Sequence, residues 1–175
     1  MPLPPPINFP AFLRTQSHLL QPPVNNYCLY NTQDFTVMVV GGPNKRTDYH
    51  VNPTEEWFYQ VKGAMVLKVV EKGDGGEEVF RDVEIGEGDM FMLPGNTPHN
   101  PVRFEKTVGI VIERKRPEGT NDTLQWYCET CKSIVYSESF YCTDLGTQLK
   151  PVIERYFATE ELRTCKKCGH VNQTK

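Results

Sequence analysis

Two histidines and a glutamate carry the strongest chemical signal in this chain. His50 and Glu56 lie in the run Arg46-Thr47-Asp48-Tyr49-His50-Val51-Asn52-Pro53-Thr54-Glu55-Glu56, and His99 ends Pro94-Gly95-Asn96-Thr97-Pro98-His99. Two imidazoles and one carboxylate form the ligand set of non-haem Fe(II) sites that keep coordination positions open. Such a site lets a small substrate and dioxygen meet at one ion. A second signal lies near the C-terminus, where Cys128-x-x-Cys131 and Cys165-x-x-Cys168 have the spacing of a tetrathiolate metal site.

The elements that must position these groups read as strands. Phe35 to Val40 is β-branched and stops at Gly41-Gly42-Pro43. Ala64 to Val70 and Val79 to Ile85 flank Gly73-Asp74-Gly75-Gly76, a strong hairpin turn. Asp89 to Leu93 and Thr107 to Glu113 follow. Short strands with Gly/Pro turns predict a mainly β chain, an antiparallel sandwich or barrel of jelly-roll type. Residues 1–30 are a proline-rich lead with one helical candidate, roughly Phe9 to His18, expected to lie on the barrel of residues 31–116. Near Arg116 the strand pattern stops, and residues 117–175 read as a tail. There Leu145, Leu149, Val152, Ile153, Tyr156 and Phe157 recur at helical spacing. Pro151 predicts that this helix begins with proline in its first turn.

Bulk properties exclude several classes. The 175 residues suit one full core plus a small appendage, and 38% hydrophobic content is that of a globular protein. A net charge of −3 makes nucleic acid a poor partner. No apolar run is long enough for a membrane span, and the N-terminus lacks the blocks of a secretory signal. The expected location is the cytoplasm. There the C-x-x-C pairs favour metal thiolates over disulfides, and Cys28 and Cys142 read as small buried hydrophobes.

Side chains four apart on a strand share a face, so Arg46 accompanies His50 and Arg103 accompanies His99. Two guanidinium groups near a metal suit an anionic substrate whose carboxylate they grip. Alternation alone does not choose between Glu55 and Glu56. Cupin spacing does: a metal-binding glutamate is followed by six residues and a glycine, which Glu56 and Gly63 satisfy. The second cupin motif is met by Gly88, Pro94 and His99. Asn52 replaces the usual second histidine, which reduces four ligands to a facial triad. His18 reads as an ordinary surface or hydrogen-bonded residue, and His170 as a neighbour of the last cysteine pair.

On these residues the chain resembles the 3-hydroxyanthranilate 3,4-dioxygenase family of cupins. The resemblance covers nearly the whole length. It is carried by Gln21-Pro22-Pro23-Val24-Asn25-Asn26-Tyr27-Cys28, Arg46 to His50, Glu56, Phe58-Tyr59-Gln60, Leu93-Pro94-Gly95, His99, Arg103-Phe104 and Val108 to Arg114. It implies a jelly-roll barrel with a small C-terminal helix and a metal knuckle, in which His50, Glu56 and His99 hold Fe(II). Arg46 and Arg103 would bind the substrate carboxylate, and Glu113 would take the phenolic proton. Val24, Asn26, Phe58 and Pro101 would line the pocket. The implied reactants are 3-hydroxyanthranilate and dioxygen, and the implied assembly is a homodimer.

Lys132, Arg163, Lys166, Lys167 and His170 lie close enough in sequence to offset the charge of four thiolates. Gly169 suits a tight knuckle. Bacterial members of the family carry a rubredoxin-like iron at this place, and zinc is the general occupant of such ribbons; the sequence does not choose between Fe and Zn. A structural role for this second site is expected. Two other readings compete: a non-catalytic cupin with a zinc ribbon, and a cupin oxygenase or isomerase for another small carboxylate. Open metal positions count against the first, and an apolar pocket wall counts against the second.

Overall fold

The computed structural model describes residues 3–22 and 25–174, with residues 145 and 146 by backbone alone. Two antiparallel sheets face each other. The first joins β1 (Asn26–Asn31), β2 (Phe35–Gly41), β9 (Val108–Arg114), β4 (Glu56–Lys62) and β7 (Met90–Leu93), in that spatial order. The second joins β11 (Ile134–Phe140), β10 (Asp122–Tyr127), β3 (Tyr49–Val51), β8 (His99–Arg103), β5 (Met65–Lys72) and β6 (Glu78–Ile85). This is the expected jelly roll.

Alternation builds the interior. On β4, Glu56, Phe58 and Gln60 are buried between more exposed neighbours, and on β9 Gly109, Val111 and Glu113 are buried likewise. Phe58, Met65, Leu67, Val69, Ile85, Leu93 and Val111 fill one part of the space between the sheets. Buried His50, Glu56, Gln60, His99, Arg103 and Glu113 gather the polar inward positions, and that is where the site lies.

The N-terminal lead forms α1 (Phe9–Gln16) and a 3-10 turn (Ser17–Leu20). Asn8 caps α1 by accepting from Ala11 N at 2.9 Å, and the Phe12 ring rests on Tyr27 with centroids 5.2 Å apart. Among the described residues no helix is long and apolar enough to cross a membrane.

Four expectations are corrected. The strand pattern does not end near Arg116, because β10 pairs with β3 and carries β11 with it. Leu124, Gln125, Trp126 and Tyr127 are all buried, and the short alternation Thr123-Leu124-Gln125-Trp126 that marks β10 lies inside the segment read as a tail. The C-terminal helix α2 spans Leu145–Ala158 with Pro151 inside it, not in its first turn. The Gln148 side chain starts the helix early by accepting from Thr143 N and Asp144 N, both at 2.7 Å. Arg46 lies in the loop before β3 and does not share a strand with His50. Cys28 is exposed, whereas Cys142 is buried as expected.

A second core of Leu124, Trp126, Cys142, Leu149, Val152 and Tyr156 fixes α2 to β10. Trp126 and Tyr156 stack with centroids 4.1 Å apart. A short helix α3 (Glu160–Arg163) then leads into the last cysteine pair.

Candidate active site and cysteine cluster

The two sheets contribute opposite halves of the site. His50 on β3 is the register partner of His99 on β8 in one sheet, and Glu56 on β4 is the partner of Glu113 on β9 in the other. His50, Glu56 and His99 are all buried and offer ligand atoms within 4.8 Å of one another. Glu56 Oε1 lies 3.3 Å from His99 Nε2 and 4.0 Å from His50 Nδ1. That oxygen is buried without a hydrogen-bond partner, which is costly unless a cation is its partner. Burial works to raise the Glu56 carboxyl, but the two imidazoles outweigh it and hold it below the ordinary range. The donor set fits a divalent metal.

Glu55 points outward to Arg114 at 3.3 Å, so alternation and cupin spacing agree on Glu56 once the fold is known. Asn52 is buried and donates to Thr54 O at 3.0 Å, bracing the turn into β4.

A cavity of about 120 Å3 opens beside these three residues. Asn26, Arg46, Phe58, Pro101, Arg103 and Glu113 line it, as does Leu149 from α2. Val24 lies outside the described residues.

The two arginines differ in state. Arg46 donates through Nε to Asp48 Oδ1 at 3.1 Å, and Asp48 is fully buried, so this cation already has its counter-charge. Arg103 is 2% exposed, and no carboxylate among the described residues forms an ion pair with it. Among the described residues the one side-chain hydrogen bond of its guanidinium is to Gln60 Oε1, 3.4 Å from Nη1. Burial lowers its pKa to about 10. Gly109 makes room for it: a β-carbon there would stand 2.6 Å from Arg103 Nη1 and 2.8 Å from Gln60 Oε1.

Glu113 is pushed up to about 7, first by burial and then by the nearby Glu56 charge. Arg116 Nη1 lies 2.9 Å from its Oε2, at an angle that leaves this oxygen without a hydrogen bond. A buried carboxyl poised near neutrality beside a cavity suits proton transfer.

Sequence reasoning missed Asp48, Gln60, Arg116, Asp122 and Leu149. Asp48 stood in plain view two residues after Arg46. Asp122 and Leu149 carried no signal, since both come from the segment read as a tail.

At the other end of β10, Cys128, Cys131, Cys165 and Cys168 gather with their sulfurs within 4.8 Å of one another. Cys128–Cys168 and Cys131–Cys165 sulfurs are each 3.6 Å apart, longer than a disulfide and suited to thiolates on one metal. Gly169, at φ +75, donates its N–H to Cys165 O at 2.8 Å and closes the knuckle. His170 pairs with Glu129 at 3.2 Å and flanks this cluster. Asn172 ties the knuckle down by donating to Tyr127 O at 2.8 Å and to Tyr156 Oη at 3.0 Å.

Comparison with known proteins supplies the family. The model of the 3-hydroxyanthranilic acid dioxygenase family matches residues 1–157. A 3-hydroxyanthranilate 3,4-dioxygenase from Neurospora crassa is 64% identical over 94% of this chain and 88% of its own length. Its counterpart from Lodderomyces elongisporus is 58% identical over 100% of this chain and 97% of its own. Among solved structures, a cupin-2 domain protein from Shewanella frigidimarina aligns with a TM-score of 0.46 at 18% identity, covering 62% of this chain and 93% of that one. The chain belongs to the 3-hydroxyanthranilic acid dioxygenase family.

Proposed function

We propose that this protein cleaves the ring of 3-hydroxyanthranilate with dioxygen at a mononuclear Fe(II) held by His50, Glu56 and His99. The product is 2-amino-3-carboxymuconate semialdehyde, which loses water and closes to quinolinate without help. This places the enzyme in the kynurenine route of tryptophan breakdown toward NAD. The observation that carries the reading is Arg103, a buried cation with no ion-pair partner among the described residues, lining the same cavity as a two-histidine, one-carboxylate cluster.

Such a cation needs an anion to offset its burial, and a substrate carboxylate supplies one in fork geometry. Arg46, steadied by Asp48, gives a second donor. Phe58 and Pro101 confine a flat ring, and Asn26 lines the pocket beside them. Glu113 takes the phenolic proton, so the substrate binds as the aminophenolate. Bound Fe(II) supplies the redox chemistry that joins this electron-rich ring to dioxygen; the substrate provides the electrons, and no separate reductant is needed.

The four-cysteine site holds Fe or Zn and fastens the C-terminal segment. Thiolate ligands of this kind favour a reducing compartment, in agreement with a cytoplasmic location. Exposed Met90 and Met92, paired in register with Tyr59 and Trp57, give the five-stranded sheet an apolar outer patch that suits a homodimer.

The test is oxygen uptake by anaerobically purified, Fe(II)-loaded protein given 3-hydroxyanthranilate. One dioxygen consumed per substrate, with quinolinate following the semialdehyde, is expected. No uptake at confirmed metal content would overturn the substrate assignment.

A further inference from the structure

We infer that Asp122 and Arg116, neither of which is a ligand, are positioning residues that fix which nitrogen of His50 meets the metal. This rests on the reading of His50 as a ligand. Asp122 opens β10, two residues from Leu124, the register partner of His50. Its side chain is fully buried, and Oδ2 lies 2.7 Å from His50 Nε2. An ionised carboxylate only accepts hydrogen bonds, so the shared hydrogen belongs to His50 Nε2. That leaves the Nδ1 lone pair, on the side of Glu56 Oε1, for the ion.

Arg116 holds the carboxylate in a fork, with Nε 2.8 Å from Oδ1 and Nη2 2.7 Å from Oδ2. Its remaining Nη1 donates to Arg114 O at 3.1 Å and stands 2.9 Å from Glu113. The pair places a full negative charge behind His50 while keeping the buried assembly close to neutral. His99 is oriented differently: its Nδ1 meets the neutral carbonyl of Thr97 at 2.9 Å, so Nε2 faces Glu56. The two imidazoles therefore present opposite nitrogens to the same ion. His50 is the one whose outer partner is a charged side chain, and such partners raise ligand basicity and metal retention. They also link the site to the far segment, because the strand that begins at Asp122 runs directly into Cys128.

Two measurements on the full chain test this. In protein loaded with diamagnetic zinc at both sites, histidine 15N spectra should show His50 ligating through Nδ1 with its proton on Nε2, and His99 the reverse. Ligation of both rings through Nε2 would overturn the proposal, even if no variant folds. In Fe(II)-loaded protein titrated anaerobically with a chelator, Asp122→Asn should lose histidine-site metal at about 10- to 100-fold lower chelator. The four-cysteine metal should be unaffected. His99→Ala is the control: if it leaves that metal fraction unchanged, the ligand assignment itself fails. If it removes the fraction while Asp122→Asn behaves as the parent, the positioning role alone fails.

Discussion

Arg103→Met should separate affinity from stability. Burial lowers the Arg103 pKa from 12.5 to about 10, and at about 1.4 kcal/mol per tenfold this means that keeping the cation charged costs the ligand-free protein about 3 kcal/mol. At pH 7 the guanidinium is charged in both folded and unfolded chains. The cost is therefore present in full and fades only as pH rises through the folded value of about 10. Removing the cation should raise the stability of the substrate-free protein by up to about 3 kcal/mol, less whatever Gln60 Oε1 loses when Nη1 is gone. Binding should move the other way. A buried carboxylate stripped of its charged partner loses about 2–5 kcal/mol, which is about 30- to 5000-fold in affinity. The assay compares 3-hydroxyanthranilate with 2-aminophenol, which lacks the carboxylate, alongside denaturant unfolding of the substrate-free chain. The parent should prefer 3-hydroxyanthranilate strongly and the variant should not. Equal losses for both ligands, or a substrate-free variant about 2 kcal/mol less stable than the parent, would refute the reasoning.

Four further outcomes are expected. Gly109→Ala drives a methyl into space 2.6 Å from Arg103 Nη1, so KM for 3-hydroxyanthranilate should rise by about tenfold to 100-fold with the charge still present; steady-state kinetics read this directly. Glu113 must be ionised to accept a proton, and its pKa is about 7, so kcat/KM should fall as pH drops below about 7. Glu113→Gln should lose about 10²- to 10⁴-fold in rate and remove that acidic limb from the pH profile. Cys168→Ser should lower the bound metal by one ion per chain and the melting temperature by on the order of 5 °C, measured by metal analysis and calorimetry.

The chain's ligand types and spacings were readable because they are local. The interval from Glu56 to Gly63 follows β4, the Gly88-Pro94-His99 series runs from the turn before β7 to the start of β8, and each C-x-x-C pair forms one knuckle, so neighbours in sequence fix the geometry. Strands such as Phe35 to Val40 and Val79 to Ile85 were legible because short β-rich runs there are bounded by glycine-rich turns. β10 was overlooked because its alternation, Thr123-Leu124-Gln125-Trp126, is only four residues long and follows the turn chemistry of Arg116-Pro117-Glu118-Gly119. The early start of α2 was hidden because Gln148 reaches back to cap it one turn ahead of Pro151, a proline that looks like a boundary.

Sequence by itself thus determined the candidate metal donors, the family and the jelly-roll class. Only the tertiary structure decided how those donors are held. The contact of Asp122 with His50 spans 72 positions, and the absence of an ion-pair partner for Arg103 is a property of every described strand around it. Arg46 and Arg103 look equivalent along the chain, yet folding neutralises one through buried Asp48 and leaves the other without an ion-pair partner among the described residues. Residue identity sets what a group can do. Its charge state and partner depend on what the fold removes from water beside it.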